Sequence, residues 1–130
     1  MATGTEVVAS GFDKRGDTLG RYPVWEKMLT FPTAGGGHVA ATLTISSLNG
    51  ILQKIIMANP ASTSTGTSAT LTIDDNADNE IFTSGAQAES DSVNRVFDVF
   101  EPLCGNIDFE CDLDADPTDA HTVTVYLRGI

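Results

Sequence analysis

The sequence predicts an all-β fold, an antiparallel β-sandwich or jelly-roll-like single domain, on three observations. Apolar and polar residues alternate with period two in several short runs. Clusters of Asn, Asp, Gly, Ser and Pro punctuate those runs at short intervals, as turns between strands do. No stretch carries a convincing helical periodicity, which leaves seven or eight short strands to pack as layers. The 130 residues fit one domain, long enough to bury roughly two-thirds of the unfolded chain's surface without staples.

The elements follow in order. Val39, Ala41, Leu43 and Ile45 face one way while Thr42, Thr44 and Ser46 face the other, a half-buried strand. Leu48-Asn49-Gly50 is a turn signal. The run Ile51 to Met57 also suits one helical face. It is short, rich in Ile and bounded by Asn-Gly and Asn-Pro, so it reads as a strand. Residues 59–68 have loop composition, and Ala69, Leu71 and Ile73 then alternate with Thr70 and Thr72. Asp74 to Asn79 is an Asx-rich turn, and Ile81-Phe82 opens a short strand. Val93 to Phe100 is apolar on both parities, which predicts a bulge or burial on both faces. Ile107, Phe109, Cys111 and Leu113 alternate with Asp108, Glu110, Asp112 and Asp114, the clearest half-buried strand of the chain. After a turn at Asp116 to Asp119, Val123, Val125 and Leu127 mark the last strand.

Charge and aromatics divide the chain unevenly. The net charge is −11, yet residues 1–37 balance four bases against four acids, so residues 38–130 carry the whole surplus. Such acidity repels phosphate backbones, and nucleic acid is an unsuitable partner. No apolar run approaches the ~18 residues of a membrane span, and the N-terminus lacks the basic and apolar blocks of a Sec-type signal. Pro32 and the triplet Gly35 to Gly37 read as a joint between an N-terminal segment, residues 1–37, and a β domain, residues 38–130. In the segment, Phe12, Tyr22, Trp25 and Phe31 interleave with Lys14, Arg15, Arg21 and Lys27, the composition of protein–protein anchors. The opposing reading packs these aromatics into the domain's own core.

Catalytic signatures are sparse. The chain has no G-x-S-x-G, H-E-x-x-H, C-x-x-C or phosphate-binding glycine loop, and no enzyme and no cofactor are predicted. His38 and His121 begin two predicted strands and read as exposed strand-end residues. Cys104 and Cys111 read as free thiols, with Cys111 on an apolar face as a small core residue. Arg15-Gly16-Asp17 matches an integrin-recognition tripeptide, which three common residues also produce by chance. Asp112, Asp114 and Asp116 have the spacing that opens an EF-hand, but Pro117 at its sixth position and Val123 at its twelfth fail the motif. A non-EF calcium site at these strand ends is the alternative to a solvated acidic face. Trp25 and Tyr126 are the candidates for a glycan-stacking platform, a thin one.

From about His38 to Gly129 the chain resembles the small β-rich virion proteins of tailed bacteriophages. The resemblance rests on Leu48-Asn49-Gly50-Ile51 leading into Lys54-Ile55-Ile56 and on the stretch Ala69 to Asp75 with its Asx turn. Gly105-Asn106-Ile107-Asp108-Phe109 and the closing His121 to Gly129 strand complete it. It implies a capsid decoration, or cement, protein on the capsid exterior. The major capsid protein would be its partner, and a homo-oligomer, a trimer foremost, its state. It carries over no functional residues. The contact residues predicted from clustering are Phe12, Arg15, Arg21, Tyr22, Trp25 and Phe31. A tail or head-to-tail component, and a glycan- or calcium-binding sandwich module, are the alternative functions.

Overall fold

Alternation of buried and solvent-facing side chains builds most strands of the computed structural model. It describes residues 2–3, 5–8, 25–33, 40–61, 67–90, 92–114 and 120–130. The strands are β1 (Ala2–Thr3), β2 (Thr5–Val8), β3 (Trp25–Thr33), β4 (Ala41–Ile45), β5 (Gly50–Ala58), β6 (Ala69–Asp74), β7 (Glu80–Thr83), β8 (Arg95–Leu103), β9 (Ile107–Leu113) and β10 (His121–Gly129). In β9 the predicted set Ile107, Phe109, Cys111 and Leu113 is buried, and in β10 Val123, Val125 and Leu127 are.

Two five-stranded sheets form, in the orders β1-β4-β9-β6-β7 and β2-β3-β10-β5-β8. The first is the acidic sheet, whose strands β4, β6, β7 and β9 together hold acids but no Lys or Arg, and the second is the mixed sheet, with both signs of charge. Set aside the short β1 and β2, and eight strands remain in the orders 2-7-4-5 and 1-8-3-6, all neighbours antiparallel. That interleaving is a jelly roll: apart from the β6–β7 hairpin, successive strands cross between sheets, so the acidic sheet waits for β9 and the mixed sheet for β10. The core between the sheets holds Leu29, Phe31, Ile55, Met57, Leu71, Ile73, Phe109 and Leu127, each at most 1% exposed. Each such side chain contributes about 1.5–3 kcal/mol by leaving water.

The predicted boundary at residue 37 does not mark an edge of the sandwich. β3 lies inside it, paired over nine residues with β10 from Trp25↔Gly129 to Thr33↔His121. The physical reason is the period-two pattern of Leu29, Phe31 and Thr33, all buried, which commits this segment to the shared core. β1 pairs parallel to β4 and β2 antiparallel to β3, so the N-terminal strands flank both sheets on one side. The glycine joint lies outside the described residues.

Two turns at one end are tied together. Asn49 Oδ1 accepts from the Gly105 N–H at 3.1 Å, and the Leu48 N–H donates to the Gly105 carbonyl at 2.9 Å. Gly50 has φ +138°, and a Cβ there would stand 2.6 Å from the Ile130 carbonyl oxygen, so only glycine fits. On the open side, Phe82 of β7 meets Phe97 of β8 edge to face, with centroids 5.3 Å apart, and joins the two sheets.

Candidate functional site

The outer faces of the two sheets differ in chemistry, because strand register sorts the side chains. On the acidic sheet, Thr44 pairs with Asp108 and Asp108 with Asp74; Thr42 pairs with Glu110 and Glu110 with Thr72; Asp112 pairs with Thr70. Thr44 Oγ1 donates to Asp108 Oδ1 at 2.6 Å. None of β4, β6, β7 and β9 contains a Lys or Arg. The face forms a shallow depression of about 290 Å³ between Thr42, Thr44, Thr72, Asp74, Asp108 and Glu110. Asp74 directly opposite Asp108 repels, and such a face favours solvent.

The outer face of the mixed sheet carries two contrasting rows. One is apolar: Met28 aligns with Tyr126, Tyr126 with Ile56, and Ile56 with Val96, across four strands. Along the backbone, Val7 of β2 is in register with Met28. The next row is charged and balanced: Glu26, Arg128, Lys54 and Asp98 align in turn. Arg128 Nε donates to Glu26 Oε2, and Lys54 Nζ lies 3.0 Å from Asp98 Oδ1. Beyond them on β8, Phe100 is 72% exposed, and Val96 is 54% exposed.

The sequence reading of Val93 to Phe100 is half right. The register does shift between β5 and β8, as the bulge reading expects. Burial on both faces is overturned. Only Phe97 and Val99 turn toward the core, and Val96 and Phe100 stand in solvent. The cause is position: β8 ends its sheet, and among the described residues no layer covers its outer face.

Of the predicted contact residues, Phe31 is 1% exposed in the core and unavailable to any partner. Trp25 packs across Gly129 and Gly50 and joins the margin of the core, its Nε1 buried without a hydrogen-bond partner. It cannot pair with Tyr126 as a glycan platform: in β3 and β10 the two occupy opposite parities, Tyr126 aligning with Met28 and Trp25 with Gly129. Phe12, Arg15, Arg21 and Tyr22 lie outside the described residues, as do His38 and Asp116. The actual outward row of Met28, Ile56, Tyr126 and Val96 was missed. Its signal, apolar residues at outward parity in four strands, becomes visible only once the strands are in register.

His121 corrects a second expectation. It is 4% exposed, not a solvent-facing strand end. Asn59, also buried, donates from Nδ2 to the Thr67 and Gln87 carbonyls at 3.0 Å each, which leaves Oδ1 as acceptor. His121 Nε2 therefore donates to Asn59 Oδ1, at 2.6 Å. Glu89 Oε2 lies 3.9 Å from Nδ1, beyond hydrogen-bond length. This group pins the end of β5, the start of β10 and the loop before β8.

Among the described residues, no three His, Cys, Asp or Glu side chains converge as metal ligands. Asp112 and Asp114 stand exposed, and Asp114 Oδ1 accepts from the Ser68 N–H at 2.8 Å, tying β9 to the start of β6. Cys111 is buried, and desolvation, with Asp112 and Glu110 adding repulsion, pushes its thiol up to about 12. Cys104 is exposed. No helix among the described residues is long and apolar enough to cross a membrane.

The fold and its faces define a jelly-roll β-sandwich module, acidic on one side and apolar with balanced charge on the other. No protein-family model matches the chain, and no curated protein matches it. Solved structures resemble it loosely. A family 36 carbohydrate-binding module of a xylanase from the hindgut metagenome of Trinervitermes trinervoides is 14% identical, with 95% of each chain covered and a TM-score of 0.45. A variant of a family 29 carbohydrate-binding module is 18% identical over 97% of this chain and 91% of that one, with a TM-score of 0.43. A structure of infectious bursal disease virus is 10% identical over 81% of this chain, with a TM-score of 0.38, and the match takes in about a third (32%) of that longer chain. Likenesses this loose fix no function.

Proposed function

We propose that the protein is a non-enzymatic structural component of a virion of the tailed-phage type. It would sit on the capsid exterior as a decoration protein, with the major capsid protein as its partner. The observation that carries this reading is the outer face of the mixed sheet. An apolar row across four strands, flanked by a charge-balanced row, has the make-up of an interface core with a polar rim. The opposite face has no base on any of its strands and is suited to remain in water.

The contact residues are then Met28, Ile56, Tyr126 and Val96, with the N-terminal Phe12, Arg15, Arg21 and Tyr22 reaching the shell or a neighbouring copy. The mechanism is mechanical. Each module bridges adjacent shell subunits, and modest contacts repeated over a symmetric lattice give high avidity without a tight single site. The rival role of tail or head-to-tail component differs in copy number, hundreds per particle for decoration against few for a connector.

The test is co-sedimentation with undecorated tailed-phage heads assembled from the major capsid protein of the particle this chain would decorate. The wild type should saturate the heads at hundreds of copies. Met28→Lys with Ile56→Lys, which places charge in the apolar row, should lower occupancy at least tenfold with an unchanged circular dichroism spectrum. Full occupancy by that variant, or no binding by the wild type, would overturn the reading.

A further inference from the structure

Among the described residues, four strands end the two sheets: β1 with two residues, β2 and β7 with four each, and β8 with nine. A long edge is a template for another strand, and proteins blunt such edges with proline, lysine or short length. From Arg95 to Glu101, β8 has neither proline nor lysine, and its alternation is unbroken through Leu103. The register shift against β5 sets Val99 and Phe100 against Gln53 alone, and β8 keeps its alternation of burial through it.

We propose that β8 pairs antiparallel with β8 of a second copy, about a two-fold axis through Asp98. The register follows from side-chain chemistry. An axis normal to a continuous sheet keeps outward residues opposite outward residues, so it must pass through a residue. Centring on Asp98 sets Arg95 opposite Glu101 of the second copy, twice, and Val96 opposite Phe100, twice. Phe97 then meets Val99 on the core side. Centring on Val99 instead sets Glu101 against Phe97 and Arg95 against Leu103. Centring on Phe97 sets Asp98 against Val96 and Arg95 against Val99. Only the Asp98 register matches both charge and apolarity.

Two independent observations point the same way. Arg95 Nε is buried and makes no hydrogen bond within its own chain, which leaves the guanidinium uncommitted to donate to the carboxylate that Glu101 of the second copy brings opposite it. The two Asp98 carboxylates at the axis arrive already neutralised, each with Lys54 at 3.0 Å. Pairing sets Val96 beside Phe100 of the second copy on the outer face and joins the apolar rows of the two mixed sheets into one face across ten strands. It replaces the expected trimer with a two-fold unit.

The pairing stands apart from the capsid reading, because the isolated protein tests it. Light scattering should give twice 13.7 kDa. In a Cys104→Ser background, Asp98→Cys should cross-link to a dimer on mild oxidation, because directly paired Cα atoms lie about 4.5–5.5 Å apart, within disulfide reach. Val96→Cys alone should not, its copies being four residues out of register, whereas Val96→Cys mixed with Phe100→Cys should. Arg95→Glu should weaken the dimer at least tenfold, and Arg95→Glu with Glu101→Arg should restore it. A monomer, a trimer, or Val96→Cys cross-linking as readily as Asp98→Cys would overturn the proposal. Head binding by such a protein would leave the capsid reading intact.

Discussion

Replacing Asn59 with Ala tests how much of this sandwich hangs on one buried amide. The substitution deletes three side-chain hydrogen bonds, to the Thr67 and Gln87 carbonyls and from His121 Nε2. A net contribution near 1 kcal/mol each gives about 3 kcal/mol, and buried partners left unpaired raise the loss toward about 5 kcal/mol. That is a large part of the ~5–15 kcal/mol that holds a domain of this size together. Urea unfolding should show the midpoint falling by roughly 2 M for an m-value near 2 kcal/mol/M, with m unchanged. His121→Ala removes one of the three bonds and leaves Oδ1 orphaned, so about 1–3 kcal/mol is expected. The double variant should cost less than the sum of the two, because they share the Asn59–His121 bond. A loss under about 1 kcal/mol for Asn59→Ala would refute the reasoning, since water would then be replacing the amide in place.

Three further outcomes are expected. At pH 8 a thiol reagent should label native protein at Cys104 alone and reach Cys111 only on unfolding; because burial holds the Cys111 thiol at about 12 against 9.0 unfolded, stability should also fall as pH rises through that interval. Asp75 accepts from the Asn79 N–H at 2.9 Å, from the Asn79 side-chain amide at 3.1 Å and from the Ala77 N–H at 2.8 Å, which lowers its carboxyl below 3.8. Its contribution should be complete above that pH and lost as pH falls through the lower folded value, which carboxyl NMR titration and acid unfolding of Asp75→Ala would check. Gly129→Ala would drive a Cβ into the Ile51 carbonyl oxygen and to 2.7 Å from the Trp25 ring, so a loss of about 1–3 kcal/mol or more is expected in thermal unfolding.

Strand existence was legible because it is written locally. The alternations of Ala69 to Ile73, Ile107 to Leu113 and Val123 to Leu127 each state which face is buried, and the structure buries those faces. The Asn49-Gly50 and Asp74 to Asn79 turns were legible for the same reason, since backbone sign and side-chain-to-backbone bonds act within a few residues. The segment carrying Trp25 and Phe31 was harder to read. Its aromatic and basic composition is shared by interfaces and by strands, and only pairing with β10, about a hundred residues on, assigns it to the core.

The sequence by itself determined the β-sandwich class, the strands from Ala41 onward, the core residues of β9 and β10, and the acidic bias of the later chain. Tertiary structure alone decided the jelly-roll order, the burial of His121 on Asn59, and the contrast between the two outer faces. Those depend on which strands become neighbours and in what register. A period-two pattern says that a side chain points outward, but not what stands beside it there. Met28, Ile56, Tyr126 and Val96 lie far apart in the chain and become one surface only when four strands align.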